Sequence, residues 1–155
     1  MAPFLALKYA PAAMKKTTPK GTYANAAPKD SAYGSIIVVT SVANSSSSSS
    51  SPPAGSVNVG PGFTIAAHAA LGVVRAGVGA LKGSGVRINC VSAGGTGEGG
   101  SSSSSSGGLE RLGLPMEVAR VVGFLSSGFS SYMTGGNVVV DGGASVMGSL
   151  GVASS

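Results

Sequence analysis

Residues 62–75 read GFTIAAHAALGVVR and lie between two short β-branched runs, SIIVVTS at 35–41 and VRINCV at 86–91. Apolar and small residues continue through Leu81 at helical spacing, so the reading is a helix over Gly62–Leu81. It is apolar nearly all round, which predicts cover on more than one side. Gly77 and Gly79 each cost it about 1 kcal/mol against alanine. Gly83, Ser84 and Gly85 end it before the second run. The two flanking runs are continuous rather than alternating, as in parallel strands buried on both faces.

Working outward, Phe4–Lys16 has helical spacing, with Phe4, Leu7 and Met14 on one face, Pro11 as a kink and Lys15 and Lys16 at the negative pole. Residues 17–33 carry Pro, Gly, Asn and Lys and read as a loop. Downstream, Pro115–Ser127 reads as a helix with proline in its first turn, Glu117 near its positive pole and a Val118, Val121, Val122, Leu125 stripe. Asn137–Val140 is a third strand, followed by Asp141-Gly142-Gly143. The alternation is helix, strand, helix, strand, helix, strand. It predicts an α/β fold, a partial Rossmann-like parallel sheet of about three strands with three helices. Three strands leave edges exposed, so the sheet reads as part of a larger one. One domain is expected over 1–143, with serine-rich loops at 45–51 and 101–106 that cannot bury apolar surface, and a tail without periodicity over 144–155.

Composition narrows the function classes. Hydrophobic residues make up 43% of the chain and charged residues 10%, which favours an apolar core that seeks a partner over a charged surface module. The formal charge is +5, concentrated in Lys8, Lys15, Lys16, Lys20 and Lys29. No nucleic-acid motif and no basic–aromatic interleaving accompany it, so nucleic acid is not expected as a partner. The single cysteine, Cys90, excludes an intrachain disulfide, fits a reducing compartment and reads as a buried hydrophobe. One cysteine and one histidine assemble no metal site. The N-terminus lacks a signal-peptide pattern, and no stretch approaches the ~20 apolar residues of a membrane span, so a cytoplasmic, non-membrane protein is expected.

Four stretches in order resemble the short-chain dehydrogenase/reductase family. FLALKYAPAAM (4–14) is similar to the helix before the family's catalytic strand, and GSIIVVTSVA (34–43) to that strand. GVRINCVSAGG (85–95) resembles the strand and loop that end in Pro-Gly, and PMEVARVVGFLSSGFSSYMTGGNVVVDGG (115–143) the last helix and strand. The resemblance covers about Pro3–Gly143. It implies a Rossmann-type fold and hydride transfer with NAD(P), using a serine that orients substrate, a tyrosine acid/base and a lysine that lowers its pKa.

Carried onto this chain, the serine position is Ser41, the tyrosine position is Phe63 and the lysine position is Ala67. Phe63 has no hydroxyl and Ala67 no charge. His68 is adjacent, but neighbouring helix positions point about 100° apart, so it is expected to face away as a surface or interface histidine. Gly94 matches the glycine of the nicotinamide-contacting Pro-Gly. The family's glycine-rich dinucleotide turn is expected before residue 1, so no cofactor is expected on this chain alone although the family implies NAD(P). The resulting expectation is a truncated or degenerate, non-catalytic relative. The alternatives are a scaffold that pairs with itself or with a related dehydrogenase subunit, and an oxidoreductase that works only with a missing N-terminal half.

Overall fold

A computed structural model describes residues 2–14, 34–42, 61–97 and 108–150. The loop expected at 17–33, the lysines at 15, 16, 20 and 29, and both serine runs lie outside the described residues. The elements are α1 (Ala2–Met14), β1 (Gly34–Ser41), α2 (Pro61–Ala80), β2 (Val86–Ala93), α3 (Pro115–Ser126), β3 (Asn137–Val140) and α4 (Ala144–Leu150), with a 3-10 turn at Gly128–Ser130. All three strands are parallel in the order β1-β2-β3. The register pairs Ile36 with Ile88 and Val38 with Cys90. The expected α/β class, parallel sheet and three strands are therefore present. The helix count is corrected to four: α4 occupies the stretch expected to lack structure.

The reason for α4 is local. Asp141 accepts hydrogen bonds from Gly143 N at 2.9 Å and Ser145 N at 2.8 Å, capping the helix's first amides. Gly142 and Gly143 take φ of +63° and +85°, which glycine adopts without a Cβ clash. The Asp-Gly-Gly read as a strand ending is also a helix start.

Alternation along the strands divides the packing. Ile36, Val38, Val86, Ile88 and Cys90 form one buried cluster with Val74 and Leu81, and Leu7, Met14 and Leu71 pack against it, so α1 and α2 cover that face. Phe4, expected on the same stripe, is exposed, and α1 runs unbroken through Pro11. Burial on both faces holds for β2, where Val86–Ser92 are all buried. It fails for edge strand β1, where Val39 is 56% exposed. The expected multi-sided cover of α2 fails as well: only Ala67, Val74 and Gly77 are buried. Gly77 has a packing reason, since a Cβ there would sit 3.1 Å from Ile88 Cδ1 and 3.2 Å from Leu7 Cδ1. With 20 residues and a mean hydropathy of 1.4, α2 also has the length and composition of a membrane span, contrary to expectation.

The opposite face is held by Arg87. It is 8% exposed, and burial lowers its pKa, though a guanidinium stays charged. Nη2 donates to Leu125 O at 3.0 Å and Ser127 O at 3.2 Å; Nη1 donates to Met133 O at 3.3 Å and Ser130 Oγ at 3.2 Å. These carbonyls include the unsatisfied C-terminal end of α3, where a cation is favoured. Ser35 Oγ donates to Leu125 O at 3.0 Å, adding a tie from β1. Asn89 joins β2 to the approach of β3, donating to Met133 O at 2.8 Å and accepting from Gly136 N at 3.1 Å.

Candidate functional site

The carboxyl ends of parallel strands are where an open α/β sheet places ligands. Here a cavity of about 170 Å³ lies between α2 and those ends, bordered by Ser41, Ala67, His68, Leu71, Ser92 and Asn137, with Val42 and Val139. β1 contributes Ser41 as its last residue. β2 contributes Ser92, whose Oγ donates to Asn137 Oδ1 at 2.7 Å, linking β2 to the start of β3. Parallel pairing puts Asn137 opposite Cys90 and Val139 opposite Ser92, so both face α2. Val139 is nonetheless 46% exposed, because α2 does not reach over β3. That gap is the cavity.

The sequence-derived positions separate on this frame. Ser41 and Ala67 border one cavity, and Ala67 presents a buried methyl. Phe63, one turn earlier, is 42% exposed and does not border it. His68 was expected to face away as a surface or interface histidine, and it is exposed where Ala67 is buried. It shares the cavity rim with Ala67 and Leu71, because the opening is wider than a single helix position. Its Nδ1 lies 2.9 Å from Thr64 O. A carbonyl only accepts, so Nδ1 is the donor in this contact. Sequence reasoning also passed over Asn137 and Ser92, since strand residues carry no spacing signal across a sheet.

Gly94 stands just beyond β2, with its N–H on Val140 O at 2.9 Å. A Cβ there would lie 2.6 Å from Asp141 Cβ and 2.7 Å from Asp141 Cα. Close approach of two chain segments therefore requires this glycine. Beyond it, Thr96 bridges to Gly113, and Gly95, Thr96, Leu109, Arg111, Glu117 and Asp141 border a second cavity of about 100 Å³. Arg111 grips Glu117 with both terminal nitrogens, Nη2 to Oε1 at 2.8 Å and Nη1 to Oε2 at 2.9 Å. Glu117 Oε2 also accepts from Leu114 N at 2.8 Å, completing the start of α3 with Pro115 in its first turn. The Arg111 hydrogen bond, then that of Leu114, holds the Glu117 carboxyl down at about 2. For Asp141, burial pushes upward, but hydrogen bonds from Ser145 and Gly143 outweigh it and keep the carboxyl low.

A family described as enoyl-(acyl carrier protein) reductase matches residues 20–145. The chain belongs to the short-chain dehydrogenase/reductase family. Among solved structures it is similar to acetoin dehydrogenase from Salmonella typhimurium, with 28% identity and a TM-score of 0.62 over 74% of this chain and 44% of that one. Acetoin dehydrogenase from Enterobacter cloacae aligns with 26% identity and a TM-score of 0.62 over the same shares, 74% and 44%. Landomycin C-6 ketoreductase, solved with bound NADP and rabelomycin, shares the fold at 21% identity and a TM-score of 0.58, over 73% of this chain and 42% of that one. No curated protein matches the chain. The chain thus spans under half the length of the solved relatives, 44% of the two acetoin dehydrogenases.

The family is NAD(P)-dependent, so fit to a dinucleotide can be tested on the described residues. A pyrophosphate sits where helix N-terminal amides are free. At α3 and α4 those amides already bond the chain's own carboxylates, Glu117 and Asp141. Gly94 is filled from behind by Asp141. The starts of α3 and α4 therefore do not offer these amides to a pyrophosphate. Among the described residues there is also no cluster of three His, Cys, Asp or Glu side chains that could hold a metal.

Proposed function

We propose that this chain is a short-chain dehydrogenase/reductase-fold protein without catalysis of its own. The observation that carries the reading is Ala67, a buried methyl on the cavity wall at the lysine position, with Phe63 turned out of the cavity at the tyrosine position. General acid/base transfer contributes roughly 10²–10⁴-fold to a rate, and neither side chain can move a proton. Ser41 alone can orient an oxygen but has no acid/base partner through which a proton would be delivered. No NAD(P) is bound by the chain in isolation. The test is a titration with NAD(H) and NADP(H), read by thermal melting, together with an NADPH oxidation assay. The expected result is no rise in melting temperature and no turnover. Robust oxidation that disappears in Ser41→Ala would refute the reading.

A second reading is favoured by the outer faces of α1 and α2, which leave Phe4, Leu5, Tyr9, Phe63 and Ile65 exposed. Members of the family generally form oligomers, and an apolar two-helix face of this kind supports pairing with a second copy or with a related dehydrogenase subunit. In a third reading, oxidoreductase activity returns only when an N-terminal half is supplied. Because Phe63 and Ala67 would remain, turnover would then still require Phe63→Tyr with Ala67→Lys. The free, buried Cys90 suits a reducing compartment, and a cytoplasmic location is proposed on that basis. No nucleic-acid or membrane partner is proposed.

A further inference from the structure

We draw no further inference here: the strongest candidate, the cavity at the amino end of β2 bordered by Lys82, Arg87 and Ser131, carries nothing because its buried unpartnered donor, Arg87 Nε, exposes no surface to a ligand and Lys82 is solvated.

Discussion

Replacing Arg87 by alanine strips four hydrogen bonds of 3.0–3.3 Å from a nearly dry site. Three of the acceptors are backbone carbonyls, of Leu125, Ser127 and Met133, and the first two terminate α3. Each such bond from a charged donor is worth roughly 1.5–3 kcal/mol when removed alone. The four share one guanidinium and are not additive. Part of their worth also offsets the cost of burying the charge. Leu125 O keeps partners in Ser35 Oγ and Ser130 Oγ, the latter at 2.9 Å. The net expectation is a loss of about 3 kcal/mol, a large share of a typical domain's 5–15 kcal/mol. For a domain of 60–100 ordered residues this lowers the melting temperature by roughly 12–24 °C. Circular dichroism melts would measure it, and amide exchange at Leu125–Ser131 should accelerate before the α2 side of the sheet does. Arg87→Met keeps the apolar stem and should lose somewhat less. A loss under about 1 kcal/mol in Arg87→Ala, or exchange that accelerates evenly across the chain, would refute the account of Arg87 as the tie between β2 and α3.

Gly94→Ala should destabilise by about 1–3 kcal/mol, because its methyl would meet Asp141 backbone that cannot move freely; a denaturant midpoint within error of wild type would contradict this. The Glu117 carboxyl falls from the ordinary 4.5 to about 2, through its bonds to Arg111 first and Leu114 second. The folded-state value is the lower one, so this contribution is fully present above about pH 4.5 and is lost as pH falls through about 2. Carboxyl-carbon NMR titration should find the low midpoint, and Arg111→Gln should raise it. Ile65→Lys, at a position 69% exposed on α2, should shift sedimentation toward monomer without changing the melt; unchanged mass would point away from this helix face as the interface.

Much of the architecture was legible residue by residue. β-branched runs bounded by turn residues marked all three strands, and Asn137–Val140 was read to its limits because Gly136 and Asp141 enclose it. Pro115 and Glu117 announced the start of α3 through chemistry local to one turn. The misses share a cause. Asp141 serves two neighbours, closing β3 and capping α4, and a pattern search assigns it once. Phe4 and Val39 were read as buried because their own elements place them on apolar stripes, yet no neighbour covers them. His68, by contrast, was read as outward by the 100° step between helix residues and is exposed; what that step does not give is that the opening beside Ala67 is wide enough to include it.

The sequence by itself determined a parallel α/β chain, because periodicity and local turn chemistry act within a few residues. The family was carried by the resemblance of four stretches in order, and the reading of Phe63 and Ala67 at the tyrosine and lysine positions rests on that resemblance. Tertiary structure decided which candidates share a site. It joined Ser41, Ala67, His68 and Asn137 around one cavity and left Phe63 outside. It showed Gly94 to be held by Asp141, and it made Arg87 the buried link between sheet and helix. Those outcomes depend on which segments, distant in sequence, meet and how completely each face is covered, and no single stretch of the chain encodes that.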